Sequence, residues 1–395
     1  MIDIKDTDGR YSRFELISWW DQDILKNSRI MVVGCGALGN EIIKNLAMLG
    51  VGNILAVDMD KVEKSNLSRS ILFREEDLGK SKSQTACERA REINPDISIK
   101  SFEGSIFEIG IGCFKNIDIV ICGLDNREAR LFVNRSCRKA GIPWIDGAIE
   151  VLNGIVRVFT PFSEVCYECT MTELDHRLLN RRRSCLMLRQ EEIEQGRIPT
   201  TPTISSVIAG IQVQEAVKYL HMNKNNDLKI LDGKGLVING ISNDNYIVEY
   251  QPQKDCPSHY YFDKIISSDI SFNEITLKDV FDAARSNFKS DKVKLDFNNE
   301  IVFMLYDDDT GEQYKNFSNM NLMQLKNIIK SGNDDIEPAY YKFNSIHNTE
   351  FYSEFYNEYK DVKLIDMKIP YNDIITATDG MSEIYISPGY IDVFK

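Results

Sequence analysis

The chain has 395 residues, 43% of them hydrophobic and 27% charged, with a net charge of −13, nine cysteines and four histidines. That length leaves room for about two or three domains whose cores need no disulfide staples. The acidity argues against nucleic acid or an anionic membrane as main partner, and the odd cysteine count excludes a complete disulfide framework.

The N-terminus has no basic region followed by an apolar one, so no secretory signal is expected. No apolar run approaches the roughly 18 residues that span a bilayer. A cytoplasmic location is expected. His176, His221, His259 and His347 are too scattered for a metal cage built of histidine alone.

Residues 14–27 carry the spacing of an amphipathic helix. A short apolar strand, Ile30–Val33, runs into the glycine loop Gly34-Cys35-Gly36-Ala37-Leu38-Gly39. Helical spacing follows over Asn40–Leu49, with Ile42, Ile43, Leu46, Ala47 and Leu49 apolar. A second strand, Ile54–Val57, ends at Asp58, and further apolar strands lie at Ile117–Cys122 and Trp144–Ile145. Short strands apolar on both faces, alternating with helices, predict an α/β fold: a Rossmann-like, mostly parallel sheet flanked by helices. Residues 151–160 read as antiparallel strands added to it.

Residues 171–203 are polar and arginine-rich and end in Pro199-Thr200-Thr201-Pro202-Thr203. A long helix, Ile204–Tyr219, and strands up to about Tyr250 follow. The remainder alternates apolar and polar residues at Val293, Leu295 and Phe297 and again at Ile384 and Ile386. Asn298-Asn299 and Asp379-Gly380 suit hairpin turns, and Leu322, Leu325, Ile328 and Ile329 suit a helix. Residues 1–262 are thus expected to form one domain and 263–395 a small C-terminal α+β domain.

A glycine loop between strand and helix offers close backbone approach and free N–H groups to phosphate. Asp58, 19 residues after Gly39, is placed at a strand end to accept from ribose hydroxyls. The glycines alone fit an ordinary NAD enzyme. Two further cations, Arg69 and Lys82, and a second strand-end carboxylate, Asp125, fit a triphosphate better. The cations would neutralise phosphate oxygens as charge builds on a leaving pyrophosphate. Asp125 would hold magnesium, which takes carboxylate and phosphate oxygens.

Cys166-Tyr167-Glu168-Cys169 alone fits a redox pair or chance. With Cys256-Pro257-Ser258-His259 downstream it becomes two half-sites of a closed, structural Cys3His zinc site. Cys35, Cys87, Cys113, Cys122 and Cys137 fall in apolar or loop-core positions and read as buried small residues.

The segments GCGALG, VDMDKVEKSNLSR, GKSK, GLDN, CYEC and PTTPTISSVIAGIQVQEAVK together resemble the ubiquitin-activating enzymes and their bacterial relatives, the ThiF-type adenylyltransferases of sulfur carriers. The resemblance covers roughly residues 10–260. It implies that ATP adenylates the C-terminal glycine of a ubiquitin-like protein. It places nucleotide contacts at Gly34, Gly36, Ala37, Gly39, Asp58, Asp60, Asn66, Arg69, Lys82, Leu124 and Asp125, with Asn66, Arg69 and Lys82 on phosphates and Asp125 on magnesium. Arg13 matches an arginine that reaches the partner subunit's ATP site, which implies a homodimer. The chain departs from the family at Phe14 (usually glutamine), Ser81 (usually proline) and His259 (usually a fourth cysteine).

Cys185 lies where some members carry a thioester nucleophile, and Arg181, Arg182 and Arg183 beside it favour the thiolate. A core position or persulfide chemistry are its other readings. The resemblance implies a thioester on Cys185, transfer to a conjugating enzyme, and a bacterial conjugation system, antiphage defence among its settings. Its alternatives are an adenylyltransferase for a sulfur carrier or peptide without thioester transfer, and a non-enzymatic subunit of a heterodimer. No cysteine follows Cys256, so the C-terminal domain is no cysteine-based sulfurtransferase; a ubiquitin-fold docking domain is expected there.

Overall fold

The computed structural model describes residues 9–177, 199–306, 313–318, 339–347 and 353–394. Its first sheet has eight strands: β1 (Arg29–Val33), β2 (Asn53–Asp58), β3 (Ser98–Glu103), β4 (Ile119–Cys122), β5 (Trp144–Glu150), β6 (Asn153–Phe159), β7 (Lys234–Asn239) and β8 (Asp244–Glu249), in the order β3-β2-β1-β4-β5-β6-β7-β8. The first five are parallel, and β6, β7 and β8 continue antiparallel. The parallel part is buried on both faces, as its unbroken apolar runs require. Ile30, Val32, Ile54, Ala56, Ile119 and Ile121 face one helical layer: α2 (Ala37–Leu49), α3 (Lys82–Ile93) and α6 (Pro202–His221). Met31, Val33, Leu55, Val57, Val120 and Cys122 face the other, α4 (Ile111–Phe114) and α5 (Arg127–Ala140).

Two expectations are corrected here, and one strand is added. The helix expected over 14–27 is only α1, Gln22–Asn27, capped by Asp21. Before it the chain runs in successive turns, Phe14 N–H to Tyr11 O and Ile17 N–H to Phe14 O. The reason lies in the aromatics: Trp20 stacks on the buried ring of His221, with centroids 5.4 Å apart, which binds the segment flat across the end of α6. The added strand is β3, whose polar, half-exposed residues carry no apolar run.

The second sheet uses β9 (Ile265–Ser271), β10 (Lys294–Tyr306), β11 (Gln313–Ser318), β12 (Ala339–His347), β13 (Ile375–Thr378) and β14 (Glu383–Gly389). Its order is β11-β10-β13-β14-β9, with β12 on the other side of β10. Among the described strands of this sheet only β9 and β14 pair in parallel. Helix α7 (Leu277–Phe288) buries Leu277, Val280, Phe281 and Ala284 against it, and α8 (Ser353–Tyr359) lies nearby. The turn at Asp379-Gly380 is present: Asp379 accepts from the amides of Met381 and Ser382, and Gly380 has φ of +89°. The turn expected at Asn298-Asn299 is absent. Both residues lie within β10, where the register with β12 shifts between Asp296 and Ile301. The Asn298 amide is satisfied by Asp373 and the Ile374 carbonyl instead of by a turn. Two antiparallel pairs of sequence neighbours remain, β10 with β11 and β13 with β14, the first joined beyond Tyr306 and not at Asn298-Asn299, and the helix expected at Leu322–Ile329 lies outside the described residues.

Candidate nucleotide and metal sites

A cavity of about 580 Å³ opens at the carboxyl ends of the parallel strands, where open α/β sheets bind ligands. It is lined by Gly34, Gly36, Ala37, Asp58, Asp60, Asn66, Arg69, Lys82, Leu124 and Asp125. Sequence motifs scattered over ninety residues therefore meet in one place. Gly39 does not line it. Its role is packing: a Cβ there would lie 1.8 Å from the Gly34 carbonyl oxygen, so only glycine lets α2 start against the loop.

Asp58 closes β2. Its carboxylate accepts from the Cys35 amide at 2.6 Å and the Asp60 amide at 2.8 Å. Burial raises this carboxyl above its ordinary value, and those amides pull it back. Lys82, first residue of α3, donates to Asp60 at 2.8 Å. Burial alone would lower the Lys82 pKa, but the bond to Asp60 and the charges of Asp58 and Glu63 raise it, so the ammonium is held charged. Asn66 is buried and accepts from the Glu63 amide at 2.9 Å. Arg69 rests on the Ser65 carbonyl at 3.0 Å. Asp125 is exposed, one residue before the cap of α5.

Sequence reading missed other wall residues. Gly104, Ser105, Ile106 and Phe107 follow β3, Ala148 and Ile149 end β5, and Pro199 and Thr200 close the crossover segment. Arg130 also lines the cavity, and behind it lies a buried ionic cluster. Arg130 donates to Asp146 at 2.8 Å, Arg157 donates to the same carboxylate at 3.0 Å, and Asp146 is fully buried. Burial pushes the Asp146 carboxyl up, but the two guanidinium charges outweigh it and hold the pKa below the ordinary value. The signal was present: a carboxylate in an apolar strand and an arginine in the next, which pair across the register.

Cys166, Cys169, Cys256 and His259 converge, all four donor atoms lying within 4.8 Å of one another. The Cys166 and Cys169 sulfurs are 3.8 Å apart, those of Cys166 and Cys256 3.6 Å, and Cys169 sulfur lies 3.4 Å from His259 Nε2. A tetrahedral ion with bonds of about 2.3 Å needs sulfur–sulfur edges near 3.8 Å, so the donor set fits zinc. Burial, then the charge of Arg138, lowers the His259 pKa and keeps the imidazole in its ligating form. Glu168, between the two cysteines, accepts from Arg135 at 2.8 Å and from the Ser258 hydroxyl.

Cys35, Cys87, Cys113, Cys122 and Cys137 are all buried thiols, and burial raises the pKa of each. Cys185 lies outside the described residues. Arg13 is exposed and does not line the cavity of its own chain. No described helix is long and apolar enough to cross a membrane.

The ThiF family matches residues 9–258. The SAMP-activating enzyme E1 of Haloferax volcanii is 31% identical over 258 residues, which cover 63% of this chain and 87% of that protein. The SUMO-activating enzyme subunit uba-2 of Caenorhabditis elegans is 38% identical over 155 residues, 38% of this chain and 27% of that one. The NEDD8-activating enzyme E1 catalytic subunit of Schizosaccharomyces pombe is 36% identical over 153 residues, 38% of this chain and 34% of that one. The chain thus spans about a third or less of those two eukaryotic relatives. Among solved structures, Escherichia coli MccB with ATP superposes with a TM-score of 0.52 at 23% identity, covering 65% of this chain and 75% of that one, a likeness of fold. With the family match spanning well over half its length, the chain belongs to the ThiF family.

Proposed function

We propose that the protein is an ATP-dependent activating enzyme that adenylates the C-terminal glycine carboxylate of a ubiquitin-like protein. The observation that carries this is the convergence of Asp58, Asn66, Arg69, Lys82 and Asp125 around one glycine-loop cavity. Asp58 receives the ribose, and the loop amides and the start of α2 face the phosphates. A carboxylate oxygen of the carrier attacks the α-phosphorus, the bond to the bridging oxygen of the β-phosphate breaks, and pyrophosphate leaves. Arg69 and Lys82 stabilise the charge that builds on it. To do so Lys82 exchanges Asp60 for phosphate oxygens when ATP binds. Asp125 would hold magnesium, which would neutralise phosphate charge when bound. Arg13 completes the site of a second copy in a homodimer.

In the second step the Cys185 thiolate attacks the acyl adenylate carbonyl, the acyl–oxygen bond to AMP breaks, and the thioester passes to a conjugating enzyme. The setting is a bacterial conjugation system of antiphage or other purpose. Zinc at Cys166, Cys169, Cys256 and His259 is structural, since four protein donors leave no open position. The test is ATP–pyrophosphate exchange. It should require the cognate carrier with a free C-terminal glycine and fall at least a hundredfold in Asp125→Ala. Wild-type exchange in that variant refutes the site assignment.

A further inference from the structure

One wall of the nucleotide cavity is held by the C-terminal domain. β3 ends beside Asp58, Glu103 pairing with it in register, and the residues that follow, Ile106 and Phe107, give the cavity an apolar wall within reach of a base carried by a ribose at Asp58. The chain from Phe107 to Gly112 is pinned to strand β10 and to the turn that precedes β13. Asn299, in β10, donates from Nδ2 to the Phe107 carbonyl at 2.7 Å. The Tyr371 amide donates to the Glu108 carbonyl at 3.1 Å, and the Gly110 amide returns a bond to the Tyr371 carbonyl at 2.8 Å. The Gly112 amide donates to the Asn372 carbonyl at 2.9 Å, and the Ile111 amide to the Asp373 carboxylate at 3.1 Å.

The contact is too close for side chains: a Cβ on Gly110 would lie 2.3 Å from the Asp373 nitrogen. The clamp is itself fixed. Asn372 has φ of +56°, a left-handed conformation, and it exchanges two hydrogen bonds with Ile391, at 2.7 and 3.1 Å. Asn298, next to Asn299, bonds Asp373 on one side and the half-buried Lys139 of α5 on the other. Asn298, Asn299 and residues 371–373 all lie beyond the family-matched part of the chain, which ends at residue 258.

We propose that Asn299 and the 371–373 turn are positioning elements of the nucleotide site, holding Ile106 and Phe107 where the base of ATP packs. This rests on the nucleotide reading given above. The C-terminal domain is then part of the ATP site's scaffold, and whatever loosens it weakens nucleotide binding without touching a phosphate ligand.

The experiment is equilibrium binding of ATP to the full chain, wild type against Asn299→Ala and Asn299→Asp. The second variant keeps the shape and loses the donor. Both should raise the ATP Kd about fivefold, the worth of one hydrogen bond, with KM for ATP raised and kcat unchanged. Met381→Ala, at an exposed hairpin tip, should change nothing. Hydrogen exchange on the wild type gives a readout free of mutation: ATP should slow exchange of the 108–112 amides and of Tyr371 together. Wild-type Kd in both Asn299 variants, or ATP protection that stops at residue 107, overturns the proposal while the nucleotide reading stands. A wild type that binds no ATP removes that reading and this one with it.

Discussion

Asp146→Asn is the sharpest test of the buried cluster behind the cavity. The wild-type carboxylate is wholly buried and accepts from Arg130 on one oxygen and Arg157 on the other. Asparagine keeps the shape but turns an NH2 group toward one guanidinium, and it leaves two buried cations without a counter-charge. Removing one partner of a buried ion pair costs about 3–5 kcal/mol, against a total domain stability of about 5–15 kcal/mol. Urea unfolding at pH 7 should show a loss of that size. The sign of the pH dependence follows from the lowered Asp146 pKa. Its stabilisation is complete above the ordinary value of 3.8 and is lost as pH falls through the lower folded value. The gap between wild type and variant should therefore close only in acid. A loss under about 1 kcal/mol at pH 7, well below that range, refutes the idea that Asp146 serves as the shared counter-charge of both arginines.

Other outcomes bear on the separate parts of the site. Cys185→Ala should retain ATP–pyrophosphate exchange and lose a reductant-sensitive adduct with the carrier; an adduct that persists in the variant removes Cys185 as nucleophile. Metal analysis should find about one zinc per chain, and Cys169→Ser should lose it and unfold at lower temperature. A folded, zinc-free wild type refutes the Cys3His site. Gly39→Ala should be destabilised by overpacking of about 1–3 kcal/mol, because its Cβ meets the Gly34 carbonyl; unfolding indistinguishable from wild type would show that the loop yields.

What the sequence disclosed and what it hid divide along a physical line. The glycine loop, Asp58, Lys82 and Asp125 were legible because each sits at the end of an apolar strand or the start of a helix, and local spacing marks those points. Arg130 and Phe107 were not. An arginine inside an amphipathic helix reads as surface until β5 and β6 are placed and Asp146 is found opposite Arg157. Phe107 follows β3, an edge strand whose polar, half-exposed residues give no apolar run to find. Asn298-Asn299 misled for the same reason in reverse. The pair has turn chemistry, but its amides are spent on partners at Asp373 and Phe107, far off in sequence.

Helix α5 joins the two sites that sequence treats as separate. It begins at Asn126, whose side chain caps it through the Ala129 amide at 2.8 Å, directly after Asp125. Four arginines leave one side of it. Arg127 pairs with Asp175 at 2.9 Å, Arg130 with Asp146 at 2.8 Å and Arg135 with Glu168 at 2.8 Å, and Arg138 donates to the Ser163 carbonyl at 2.7 Å. Glu168 lies between the zinc-side cysteines, and Asp175 lies where the crossover segment departs. A metal with no open coordination position can do no chemistry on a carboxylate. It can fix Glu168, and Glu168 with Asp146 fixes the rotation and height of the helix that presents Asp125. Loss of zinc should therefore weaken ATP binding in the same protein that still folds its parallel sheet, and it should do so through Arg135 rather than through any group in the cavity.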